Sequence, residues 1–154
     1  MNQLLTFLSL SIILFSCVSN SGNQQESPNK ISKTDLTLNE NSISLDLIFE
    51  GDTLIRELQL NLTDAENNLL QNIEIIKQER TTFNESWETV NGKNQTVLNY
   101  SNASVFKLKN DAGQEFNLEL KMYDEGFAYR FLFPEGFNNI VENSIINFAD
   151  DFTF

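Results

Sequence analysis

The chain has 154 residues, 40% of them hydrophobic, with thirteen phenylalanines against two prolines and six glycines, a composition that gives one folded domain with a real core and excludes a disordered chain. A formal net charge of −12 makes the long-range field repel nucleic acid and anionic membrane faces, so neither is expected as a partner. There is no histidine, which removes the commonest general base, the Ser-His dyad and imidazole metal ligation, and a lone cysteine cannot form an internal disulfide.

Met1 to Ser16 carry no charged side chain and hold an apolar run from Leu4 to Phe15, too short for a permanent membrane span but placed as an export signal. Leu14-Phe15-Ser16-Cys17 resembles a bacterial lipobox, so Cys17 is expected to be the lipidated first residue of the mature chain. Each buried acyl methylene contributes roughly 0.8 kcal/mol to such an anchor. Two other readings of Cys17 stand beside this one, a leader cysteine without consequence and a free thiol in the mature chain. The polar run that follows, including Ser19-Asn20-Ser21-Gly22-Asn23-Gln24-Gln25-Glu26-Ser27-Pro28-Asn29, lacks the apolar side chains needed to offset ordering entropy. It predicts a flexible linker over 17–35 and a β domain over 36–154, on the envelope of a bacterial cell, periplasmic or surface-exposed.

Beyond the linker, Ile43, Leu45, Leu47 and Phe49 alternate with Ser44, Asp46 and Ile48, and Glu50-Gly51-Asp52 turns the chain into a segment where Leu58, Leu60 and Leu62 repeat the period of two. That is a hairpin signal. Leu62 to Gln78 reads two ways: Leu69, Leu70 and Ile73 have some helical spacing behind Thr63 as a cap, while the alternating, β-branched Ile73-Glu74-Ile75 favours strand. Phe106 and Leu108 alternate with Lys107 and Lys109, then Asn110-Asp111-Ala112-Gly113 turns into Phe116, Leu118, Leu120 and Met122 with Asn117, Glu119 and Lys121 facing outward. Asp124-Glu125-Gly126 makes one more turn, into a strand whose Phe127, Tyr129, Phe131 and Phe133 share a face to be buried, opposite Ala128, Arg130 and Leu132. The class is all-β, an antiparallel β-sandwich with one wet and one dry face per sheet.

Two segments carry a family resemblance: Phe83-Asn84-Glu85-Ser86-Trp87, and Leu120-Lys121-Met122-Tyr123-Asp124-Glu125-Gly126-Phe127-Ala128-Tyr129-Arg130 with Pro134 after it. Together they resemble the N-terminal domain of glycoside hydrolase family 97, where an E-(T/S)-W motif precedes an acidic-glycine turn and an aromatic strand ending in proline. The likeness runs from about Leu58 to the C-terminus and is strongest over Phe116 to Pro134. Two departures occur. After Trp87 the chain reads Glu88-Thr89-Val90-Asn91-Gly92-Lys93 where the family has a Gly-Glu loop, and a family Tyr-Asn-Glu segment appears as Tyr100-Ser101-Asn102.

The resemblance implies a super-sandwich N-terminal domain of an enzyme that cleaves α-glucosidic or α-galactosidic bonds with calcium. Its catalytic (β/α) barrel would be a partner missing from these residues. It implies no catalytic or metal residue in this chain, because the carboxylates concerned belong to the barrel or lie past the point matching Phe154. The chain would then be inactive alone. The alternative is a stand-alone carbohydrate-binding or scaffold lipoprotein.

Trp87, with Glu85 and Glu88 beside it, is the candidate contact for an α-linked oligosaccharide, through stacking of the indole on a pyranose. Ordinary core or interdomain packing is the competing role, and by resemblance this tryptophan docks onto the partner domain. Arg130 calls for a structural ion pair, and the acidic pairs Asp124-Glu125 and Asp150-Asp151 fit turns and solubility. Sequons at Asn61, Asn84, Asn94, Asn99 and Asn102 are attributed to an Asn-rich composition.

Overall fold

The computed structural model describes residues 23–64, 67–90 and 96–150. The expected signal segment and Cys17 lie outside them, as do Phe152 and Phe154. The elements are strands β1 (Gln24–Glu26), β2 (Ser32–Leu38), β3 (Ile43–Phe49), β4 (Asp52–Leu60), β5 (Leu62–Asp64), β6 (Asn67–Asn68), β7 (Glu74–Glu88), β8 (Thr96–Lys109), β9 (Glu115–Tyr123), β10 (Gly126–Leu132), β11 (Ile140–Glu142) and β12 (Ile145–Phe148). Three antiparallel sheets result, ordered β1-β2-β3-β4-β12, β10-β9-β8-β7 and β11-β5-β6.

The hairpins expected around Glu50-Gly51-Asp52, Asn110 to Gly113 and Asp124 to Gly126 form. Phe49 pairs with Asp52 around Glu50-Gly51, both at positive φ (51° and 96°), the primed turn that matches strand twist. The turn between β8 and β9 is held by Asn110, whose side-chain Oδ1 accepts from the Gln114 backbone amide at 2.9 Å while its Nδ2 donates to Gln114 Oε1 at 2.9 Å. The two large sheets enclose one core: Leu36, Ile43, Leu45, Leu58 and Leu60 from the first meet Phe106, Leu108, Phe116, Leu118 and Leu120 from the second.

The described residues of 62–64 and 67–78 take the strand and turn reading. Leu62, Leu69, Leu70 and Ile73 are all buried, so their helix-like spacing comes from a loop whose apolar side chains join the core. Asn68 stops helical propagation, its side-chain oxygen accepting from the Leu70 amide at 2.8 Å while Leu69 donates to the Leu62 carbonyl at 2.9 Å.

The linker expected up to residue 35 is corrected, because β1 and β2 lie within it as sheet strands. What orders this polar stretch is hydrogen bonding. Ser27 Oγ accepts from the amides of Ile31 and Ser32 at 3.1 Å each, Ser32 Oγ donates to the Tyr123 carbonyl at 2.5 Å, and Asn102 donates to the Glu26 carbonyl at 2.9 Å. Composition alone counted only the missing apolar area, whereas buried polar groups matched one to one also hold a segment in place.

β10 alternates as its sequence requires. Phe127, Tyr129, Phe131 and Phe133 pack against the core but stay half-buried, since β10 ends its sheet. Phe116 is the hub of this aromatic face, its ring centroid 6.3 Å from Phe131, 5.4 Å from Phe133 and 5.9 Å from Phe137. Burial and the Glu142 carboxylate, which accepts the Tyr129 hydroxyl proton at 2.5 Å, push the Tyr129 pKa up.

Candidate functional site

The long hairpin of β7 and β8 carries the residues singled out by sequence. β9 pairs with β8 only as far as Asn102 opposite Met122, so from Phe83 and Ser101 onward the hairpin runs on as a two-stranded ribbon. Trp87 stands there opposite Val97, with 49% of its surface exposed. Period-two geometry places Glu85 on the same face, where Asn99 Nδ2 donates to its Oε2 at 3.3 Å. Phe83 completes this face, with Lys121 Nζ 4.7 Å from its ring centroid. Glu88, one residue beyond Trp87, falls on the opposite face with Leu98 and Tyr100, so the structure separates it from the indole. Sequence reasoning missed Phe83, Asn99 and Lys121. Counting back by twos from Trp87 would have found Phe83, whereas Asn99 and Lys121 arrive through cross-strand neighbours that depend on register.

Chemically this face offers an indole open to water and one carboxylate–amide pair. It can stack and accept hydroxyl hydrogen bonds, but it holds no nucleophile with a base beside it. Among the described residues, no group of three or more Cys, Asp and Glu stands where it could hold a metal ion.

Other polar features are structural in character. Arg130 donates to the nearly buried carboxylate of Glu119, the ion pair its position called for, and Lys121 Nζ lies 3.9 Å from the same carboxylate. Asp124 is more than a solvated turn residue: its carboxylate accepts from the Asn29 amide at 3.1 Å and from Asn29 Nδ2 at 2.6 Å, tying the turn before β10 to the loop before β2. Desolvation is the largest single influence and raises the pKa, but the hydrogen bonds from Ser27 and Asn29 together outweigh it and hold Asp124 below its usual value. On the outer face of the first sheet Asp46 sits directly opposite Asp35. Desolvation first, then the charges of Asp35 and Glu57, raise its pKa. A groove of 430 Å³ beside β1 is walled by groups already paired, such as Arg80 with the Gln24 carbonyl at 3.3 Å and Thr82 with Asn102 at 2.8 Å.

The described residues define an antiparallel β-sandwich domain, with Trp87, Glu85 and Phe83 together on one face of a projecting ribbon. The family profile described as glycosyl-hydrolase 97 N-terminal matches residues 26–154, and the chain belongs to that family through this domain. A probable retaining alpha-galactosidase from Streptomyces bingchenggensis (strain BCW-1) is 24% identical over 113 residues, which are 73% of this chain and 18% of that protein. Among solved structures, a family 97 enzyme from Pseudoalteromonas sp. strain K8, determined with panose and with acarbose, superposes with a TM-score of 0.70 at 22% identity over 83% of this chain and 20% of that one. A beta-arabinopyranosidase superposes with a TM-score of 0.67 at 16% identity, over 73% of this chain and 18% of the other. The chain thus spans at most a fifth of the length of each of these relatives.

Proposed function

We propose that the chain is the non-catalytic front portion of a family 97 α-glycosidase, held by a lipidated Cys17 on the bacterial cell envelope. It supports a catalytic barrel that acts on α-glucosidic or α-galactosidic linkages and itself hydrolyses none. Any calcium would be bound by the barrel part. The observation that carries this reading is the family match over 26–154 combined with coverage of only 18–20% of the relatives' own chains. Trp87 and Glu85 serve in it as the contact with the partner domain.

Incubating the 154-residue chain with p-nitrophenyl α-glucoside and α-galactoside, with and without calcium, is expected to release no nitrophenol above buffer. Release that scales with protein concentration would overturn the reading.

The exposure of Trp87 beside Glu85 and Asn99 favours a second reading, a stand-alone binder of α-linked oligosaccharides. Trp87 is the sole tryptophan, so its fluorescence reports directly on this face. A saturable shift with millimolar α-linked trisaccharide supports the binder, and an unchanged spectrum rejects it.

A further inference from the structure

The end of the sandwich away from the ribbon carries a second groove, of about 400 Å³, between the loop that follows β6 and the turn joining β8 to β9. Glu74, which opens β7 beside this groove, pairs with Lys109, whereas Trp87 stands roughly 40 Å further along the strand. Five of the nine described residues that line the groove are asparagine or glutamine, two are aspartate, and none is lysine or arginine.

The walls are fixed from within the fold. Leu69, Leu70 and Ile73 seat the loop in the core. Asn68 Nδ2 donates to the Asn41 carbonyl at 2.9 Å, and the buried Asn110 donates through Nδ2 to Gln114 Oε1 at 2.9 Å. Asn72 Nδ2 donates to Asp111 Oδ2 at 2.7 Å and the Asp111 amide donates to the Gln71 carbonyl at 3.4 Å, which ties one wall to the other. That framework engages Asn68, Asn110 and Gln114. Asn67, Gln71 and Asp111 are the exposed polar residues of the lining, and they are what an incoming molecule meets.

These groups select a chemistry. A carboxamide donates and accepts at once, and so does a hydroxyl, so adjacent hydroxyls of a sugar ring can exchange both kinds of bond with Asn67 and Gln71 while Asp111 Oδ1 accepts a third. Asp64 and Asp111 in a lining without a cation disfavour an anionic molecule. A groove already held in shape spends little on ordering its side chains when it is filled.

We propose that this groove is a binding site for a neutral oligosaccharide, held through its hydroxyl groups by Asn67, Gln71 and Asp111. The site is separate from the ribbon face that carries Trp87 and does not depend on the supporting role proposed for the domain.

The test follows the amide resonances of the isotope-labelled 154-residue chain, with Cys17→Ser to remove the one thiol, during titration with maltotriose, cellotriose and raffinose to about 50 mM. At least one of the three should give saturable shifts over residues 67–72 and 110–114, half complete in the millimolar range, while the Trp87 indole signal stays in place. Asn67→Ala combined with Gln71→Ala should weaken that binding at least about fivefold. Both residues are exposed, so the double variant should keep the parent's Tm and spectrum elsewhere, which separates lost binding from lost folding. Three results would each overturn the proposal: no saturable shift in the groove with any of the three sugars, groove shifts produced by calcium chloride alone, or binding that the double variant leaves unchanged. Shifts confined to the ribbon would overturn it as well and would place sugar binding at Trp87.

Discussion

Replacing Phe116 by alanine tests the packing account at its most connected residue. Phe116 is 2% exposed, lies in the core between the two large sheets, and touches the rings of Phe131, Phe133 and Phe137. Truncating a buried phenylalanine costs about 3–5 kcal/mol through lost transfer energy and the cavity left behind. The three ring contacts, each worth about 0.5–1.5 kcal/mol beyond burial, place this site toward the upper end. Against a total stability of about 5–15 kcal/mol, the variant should lose a third or more of its margin. Its Tm should fall by about 10–20 °C for a domain of this size. Urea unfolding followed by far-UV circular dichroism is the assay, because Trp87 sits on the ribbon and reports poorly on the core. The midpoint should drop at unchanged slope. Leu132→Ala, on the outward face of β10 and 37% exposed, is the control and should cost under about 1 kcal/mol. A Phe116→Ala loss no larger than that of the control would refute a core organised around the aromatic face.

Electrostatics supplies the other predictions. Asp46 has its folded-state pKa raised above 3.8, so its ionised form is a penalty on the fold that is present at neutral pH and vanishes as pH falls below 3.8. Asp46→Asn should therefore raise the urea midpoint at pH 7 and leave it unchanged near pH 3. Asp124 has its pKa lowered, so its contribution is present above 3.8 and is lost as pH falls through the depressed folded value. Asp124→Ala should remove that acid sensitivity and speed amide hydrogen exchange over residues 27–32, which its carboxylate tethers through Asn29. Arg130→Ala leaves the Glu119 carboxylate, only 11% exposed, with Lys121 as its remaining cation. The expected loss by denaturant titration is about 1–2 kcal/mol, and Glu119→Leu combined with Arg130→Met should recover most of it.

The hairpins of β3 with β4, β8 with β9, and β9 with β10 were legible because alternation, turn residues and length agreed over each of them. Gly51 and Gly113 mark turns that need positive φ, and each stands in a turn that the sequence proposed. The segment 24–35 was not legible, because its order rests on Asn29 and Ser32 finding partners 95 and 91 positions away, and no local pattern records such a match. Leu69, Leu70 and Ile73 were ambiguous for a related reason: a loop that plugs a sandwich need not keep either period. At the ribbon, Trp87 and Glu85 sharing a face followed from their spacing. The opposite orientation of Glu88 followed from the same rule, yet proximity in sequence had grouped it with the indole. Lys121 over Phe83 required the register of three strands.

Reading the coding sequence immediately downstream of the Phe154 codon in all three forward frames tests the central claim most directly. The account predicts that a barrel domain carrying the acidic residues of an α-glycosidase continues in one of those frames. A downstream region that encodes no such domain would contradict it, leaving the sandwich as an envelope lipoprotein in its own right.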